Sequence, residues 1–78
     1  MKRNEDSMEG RDISKELWRE YDFNGRVYRI DNPKLLFIGS GAHRVLDATG
    51  VVHCAPAPGH EGCVVRWMPR DASEPVQF

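Results

Sequence analysis

Residues 20–30 read EYDFNGRVYRI, and this stretch decides the fold. Asn24-Gly25 is the strongest short signal for a two-residue hairpin turn, because both residues accept the positive φ that such a turn needs. The predicted pairs across the turn are Phe23–Arg26, Asp22–Val27, Tyr21–Tyr28 and Glu20–Arg29. The last pair joins opposite charges on one face, which is favourable between neighbouring strands. The other face carries Tyr21, Phe23, Tyr28 and Ile30. The sequence therefore predicts an antiparallel hairpin whose first strand covers residues 18–23.

The segment before this hairpin has two competing interpretations. Asp12 or Ser14 is a suitable N-cap for a short helix, with Ile13 and Leu17 at helical spacing. The helix and the hairpin compete for the same residues, because the first strand of the hairpin needs residues 18–23. We therefore expect the hairpin to form, and we confine any N-terminal helix to about residues 12–17.

Turn signals divide the rest of the chain into further strands. Asp31-Asn32-Pro33 marks a turn, because proline fixes its own φ and restricts the residue before it. Asp47-Ala48-Thr49-Gly50 matches a type I turn closed by a left-handed glycine, which predicts a second hairpin. Its cross-strand pairs are Leu46–Val52 and Val45–His53. A stiff loop with two prolines follows at residues 55–62. The predicted strands after the first hairpin are 34–38, 44–46, 51–53 and 63–68.

This pattern predicts a mainly β protein with about six short antiparallel strands. Consecutive strands joined by tight turns favour a β-meander, curled into a small SH3-like barrel or a sandwich. The folded domain covers residues 11–70. Residues 1–10 are predicted to form a mobile arm and residues 71–78 a flexible tail, because both are polar and lack periodicity.

Length and composition exclude several classes of protein. The chain has 78 residues, with 11 Lys and Arg against 12 Asp and Glu, and a net charge of −1. This length excludes a two-domain enzyme and leaves little room for a substrate pocket, so we expect no enzymatic activity. The longest apolar run, residues 35–38, is too short to cross a membrane. The N-terminal residues do not resemble a secretory signal, which predicts a cytoplasmic protein with reduced thiols.

A zinc-binding domain is a further alternative function. Cys54, His60 and Cys63 are suitable zinc ligands, but their spacing matches neither a zinc finger nor a zinc knuckle. His53 cannot easily join them, because adjacent strand residues point to opposite faces. We therefore expect no cofactor, and we place both cysteines as small apolar groups on the inner face of their strands.

Aromatic and arginine side chains predict a binding surface for another protein. Trp18 falls on the same face as Glu20, away from the apolar face of the hairpin, and an exposed tryptophan framed by charge is typical of an interface anchor. The predicted contact residues are Trp18, Arg29, Arg44, His60 and Trp67. We expect a small module that modulates or inhibits a larger protein complex. Its size and polarity are typical of short accessory regulators, including those of viruses and mobile elements.

Nucleic acid and a second copy of this chain stay open as other partners. Aromatic rings on a β surface with nearby arginines are also typical of proteins that bind RNA or single-stranded DNA. The basic residues are dispersed rather than gathered in a stripe, which makes nucleic acid the second choice. The chain is predicted to be a monomer or a homodimer joined through sheet edges, since one copy of about 60 ordered residues has a small core.

Overall fold

The computed structural model describes residues 10–78 and shows two antiparallel β-sheets around one core. The strands are β1 (Arg11–Asp12), β2 (Glu16–Phe23), β3 (Arg26–Asp31), β4 (Pro33–Gly39), β5 (Ala42–Asp47), β6 (Val52–Pro56), β7 (Val64–Pro69) and β8 (Val76–Gln77). One sheet has the order β1-β4-β5-β6 and the other has the order β3-β2-β7-β8. A single 3₁₀ turn, His60–Gly62, is the one helical element that the structure describes in this range. The protein is therefore a small β-sandwich.

The first predicted hairpin is confirmed in its register. All four predicted pairs, from Phe23–Arg26 to Glu20–Arg29, lie opposite each other between β2 and β3. Asn24 and Gly25 both adopt positive φ, at 53° and 72°. These values are those of the mirror-image turns that match the twist of a hairpin. The turn chemistry alone therefore sets the register of the strands.

The second predicted hairpin is also confirmed. Leu46 lies opposite Val52 and Val45 opposite His53. The Asp47 carboxylate organises the turn, because its Oδ1 accepts hydrogen bonds from the Thr49 amide at 2.8 Å and the Thr49 hydroxyl at 2.6 Å. Gly50 closes the turn with a φ of 92°. An aspartate that bonds to amides two residues on is typical of such turns.

Two details of the predicted architecture are wrong. No helix forms at residues 12–17, where β1 ends at Asp12 and β2 begins at Glu16. The strands of the second sheet do not follow chain order as a meander would, because β2 lies between β3 and β7. Within residues 10–78 the strands form two separate sheets and no closed barrel, so the sandwich is the correct alternative.

Asn32 is the position where the chain passes from one sheet to the other. It adopts a positive φ of 51° between β3 and β4. Its amide donates to the Leu17 carbonyl at 2.9 Å, and its own carbonyl accepts from the Ala48 amide at 2.9 Å. Asparagine tolerates the left-handed conformation better than other non-glycine residues. This single residue therefore turns the chain and ties both sheets together.

The core lies between the inner faces of the two sheets. Its most buried members come from both sheets and from the residue before β7: Tyr21, Ile30, Val65, Leu36, Val45, Ala55 and Cys63. Burial of one large aliphatic side chain contributes roughly 1.5–3 kcal/mol. β4 was predicted to be buried on both faces, but only Leu36 on the inner face is fully buried among its apolar residues after Pro33, whereas Leu35 and Phe37 on the opposite face are half-buried.

The sheet extends into the predicted C-terminal tail. β8 pairs with β7, with Val76 opposite Trp67, and the Phe78 amide donates to the Val65 carbonyl at 2.9 Å. Of the predicted N-terminal arm, residues 1–9 lie outside the described residues. Gly10 is described and packs closely against the ring of Phe37, where a Cβ atom would come within 2.9 Å of that ring.

Candidate functional site

A stacked pair of side chains stands on the outer face of the β3-β2-β7-β8 sheet. The Cζ atom of Arg29 lies 4.4 Å from the centroid of the Trp18 ring. Trp18 is half-buried, and the Arg29 side chain is 48% exposed. An arginine over an indole face is held by a cation–π interaction. The stack presents a flat, amphipathic group to solvent.

The Glu20 carboxylate contacts two arginines beside this stack. Its Oε2 lies 3.4 Å from Nη1 of Arg29, and its Oε1 lies 3.1 Å from Nη2 of Arg66. Arg29 is also held by Asp31, with 3.1 Å between Nε and Oδ1. Exposed ion pairs contribute about 0.2–1 kcal/mol each, so their main effect is to hold the side chains in place. We call Trp18, Glu20, Arg29 and Arg66 the Trp18 surface.

The other predicted contact residues lie elsewhere. Arg44 is exposed on the outer face of the other sheet, opposite Phe37 and Cys54 in the strand register. His60 lies in the 3₁₀ turn, and its ring packs closely over Gly41. Trp67 is half-buried against the core rather than on the outer face. The structure therefore joins Trp18 and Arg29 and separates them from the other three residues.

The predicted zinc ligands do not form a metal site. No group of three or more His, Cys, Asp or Glu side chains is placed to hold a metal ion in the described part of the chain. Cys54 is exposed, which corrects its predicted place on the inner face, whereas Cys63 is buried. Burial raises the pKa of the Cys63 thiol, and the nearby Asp22 and Glu61 add to this effect. Cys63 is therefore a core residue.

A chain of buried polar groups links the two sheets, and it was not predicted from the sequence. The guanidinium of Arg19 binds the Glu16 carboxylate at 2.8 and 2.7 Å, and its Nη1 donates to the Tyr21 hydroxyl at 3.2 Å. That hydroxyl lies 2.8 Å from Nδ1 of His43 on the opposite sheet. Strand alternation places Arg19 on the same face as Tyr21, and this signal alone identifies it as inward-facing.

Burial and neighbouring charge determine the ionisation of this chain. Burial raises the pKa of Tyr21, so its hydroxyl stays protonated. Burial opposes the charge on Arg19, but its hydrogen bonds to the Glu16 carboxylate, the negative charge of Glu16 and the contact with Tyr21 together raise the pKa of Arg19. Burial lowers the pKa of His43, and the cations Arg19 and Arg11 lower it further. The chain is therefore a buried ion pair followed by two neutral groups.

A second, more exposed chain joins the sheets at their β3 and β6 edges. The Tyr28 hydroxyl lies 2.6 Å from Nδ1 of His53, and Nε2 of the same ring lies 2.7 Å from Oδ2 of Asp47. Hydrogen bonds from His53, from Thr49 and from the turn amides hold the pKa of Asp47 well below its usual range. This carboxylate therefore stabilises both its own turn and the contact between the sheets.

Comparisons with known proteins add no identification. No protein-family model, curated protein or solved structure matches the chain. A search of residues 10–78 finds no helix with the length and apolar character needed to cross a membrane.

Proposed function

We propose that this protein is a non-enzymatic binding module that modulates or inhibits a larger protein partner through the Trp18 surface. The observation that carries the proposal is the stack of Arg29 on Trp18, held in place by Glu20. Tryptophan and arginine are the residues most enriched among those that dominate binding energy. A side chain already held in one conformation also loses less entropy when a partner binds.

The surroundings of this stack favour a protein partner. Val27 and Val64 flank Asp22 on the same face and are 54% and 37% exposed. They lie next to Arg29 and Arg66 on the same face, and apolar side chains together with arginine are typical of protein interfaces. Acidic groups alternate with the arginines here, whereas a nucleic-acid surface has a continuous basic stripe.

The edge strand β3 extends the proposed surface. β3 carries Arg29 and pairs with β2 on one side, at the end of its sheet. The other side of an edge strand offers unpaired backbone groups, to which an extended segment of a partner can add as a further strand. The partner would then contact the backbone of β3 and the Trp18 surface together.

Affinity capture with matched variants tests this proposal. The wild-type chain should retain a defined partner from a native lysate, and Trp18→Ala and Arg29→Ala should each weaken that complex at least about tenfold. Arg44→Ala is the control, because Arg44 is an exposed arginine on the opposite sheet. Circular dichroism of each variant shows whether it is folded.

Three outcomes would contradict the proposal. These are the capture of no stoichiometric partner, full retention of the partner by both folded test variants, and equal loss with Arg44→Ala. The nucleic-acid alternative predicts instead that a single-stranded oligonucleotide binds at low salt and dissociates steeply as salt rises. We expect no such binding by fluorescence polarisation.

A further inference from the structure

An open groove lies between the inner faces of the two sheets. Its volume is about 480 Å³, which is within the range of small-molecule sites. The walls are mostly apolar and include Leu36, Ile38, Val65, Trp67 and Phe78. The groove is separate from the Trp18 surface, because Trp18 is on the outer face of its sheet and Trp67 packs against the core.

His43 lines this groove with an unpaired nitrogen. Its residue surface is 6% exposed, and its Nδ1 is bonded to the Tyr21 hydroxyl. Arg19 only donates, so it occupies one lone pair of that hydroxyl. Among the described residues Nδ1 of His43 is the one acceptor bonded to this hydroxyl, so the hydroxyl hydrogen is directed to it. Neutral His43 therefore carries its own proton on Nε2. No group in residues 10–78 accepts a hydrogen bond from Nε2.

The hydrogen-bond donors around the groove favour a ligand that accepts hydrogen bonds. Arg11 lines the groove together with His43. Asp12 also lines it and keeps its negative charge, but its Oδ1 already accepts hydrogen bonds from the amide and the hydroxyl of Ser14 at 2.9 and 2.6 Å. The charge of Arg19 is balanced by Glu16. A ligand thus meets one buried N–H donor and one arginine beside apolar walls.

We propose that this groove binds a small apolar organic acid. The carboxylate accepts a hydrogen bond from Nε2 of His43 and faces Arg11, while the apolar body packs against Leu36, Val65 and Trp67. A carboxylate is the acceptor that gains from both groups, because hydrogen bonds to an ionised acceptor are the stronger ones. The proposal is independent of the function proposed for the Trp18 surface.

A titration of the full wild-type chain with decanoate tests the proposal directly. We expect a saturable change in the ¹⁵N and ¹H resonances of the His43 ring as decanoate is added below its micelle concentration. Decylammonium has the same apolar chain and the opposite charge, and it should bind at least about tenfold more weakly. A His43 signal that does not respond, or equal binding of the two probes, would overturn the proposal.

Matched variants locate the site. Ile38 lines the groove and is 38% exposed, so Ile38→Trp should fill it and reduce decanoate binding at least about tenfold. Val52→Trp places the same ring on a 54% exposed position of β6, two strands away in the same sheet, and should leave binding unchanged. Arg11→Gln should weaken decanoate several-fold, whereas Arg44→Gln should not. Equal effects of Ile38→Trp and Val52→Trp, or of Arg11→Gln and Arg44→Gln, would refute the location of the site. If Ile38→Trp does not fold, the wild-type titration decides the question.

Discussion

Removal of the Tyr21 hydroxyl tests whether the buried polar chain stabilises the sandwich. Tyr21 is 0% exposed, and its hydroxyl bonds to Arg19 and to His43. Tyr21→Phe keeps the ring but leaves one buried donor and one buried acceptor without a partner. Each costs about 1 kcal/mol or more, so we expect a loss of about 2 kcal/mol. A domain of this size has a total stability of about 4–12 kcal/mol.

Tyr28→Phe is the matched control for this change. Tyr28 lies opposite Tyr21 in the hairpin and also bonds to a histidine Nδ1, at 2.6 Å, but it is 42% exposed. Water can replace an exposed hydroxyl, so its loss should cost less than about 1 kcal/mol. Urea denaturation measures both values. The melting temperature should fall by roughly 8–16 °C for Tyr21→Phe. A loss no larger than that of Tyr28→Phe would refute our account.

Three further predictions follow from single positions. The Asp47 carboxylate has a lower pKa in the folded protein than in the unfolded chain. Its stabilising effect is therefore complete above about pH 4 and is lost on acidification. The stability of Asp47→Asn, measured by acid denaturation, should depend less on pH below about pH 4. Gly25→Ala should cost about 1–2 kcal/mol by thermal melting, because the φ of Gly25 is 72° and no atom within 4 Å would add a clash; an unchanged melting temperature would contradict this. A thiol reagent should modify exposed Cys54 rapidly and buried Cys63 only after denaturation, and Cys54→Ser should abolish the fast reaction.

The candidate surface was predicted in part. The alternation of β2 placed Trp18 and Glu20 on one face, and the hairpin register placed Arg29 next to them, so these neighbours follow from the sequence. The sequence could not predict Arg66 as part of this surface. Arg66 belongs to β7, and its contact with Glu20 depends on a pairing between residues 46 positions apart. Trp67 was predicted as a contact residue as well, and it packs half-buried against the core, apart from this surface.

The groove and the buried polar chain depend on the tertiary structure. Arg19 and Tyr21 share the inner face of β2 by alternation, but His43 comes from the opposite sheet. Their contact requires that the two sheets pack face to face at that position. No local pattern specifies this, since a meander and a sandwich use the same turns.

The sequence by itself determined the two hairpins, because Asn24-Gly25 and the turn at residues 47–50 hold their conformations within a few residues. The tertiary structure decided which strands became neighbours. Insertion of β2 between β3 and β7 buries Tyr21 and Val65 together, at 0% exposure each. The stabilisation from this burial comes from apolar surface that distant segments bring together, so it arises only when the whole chain is packed.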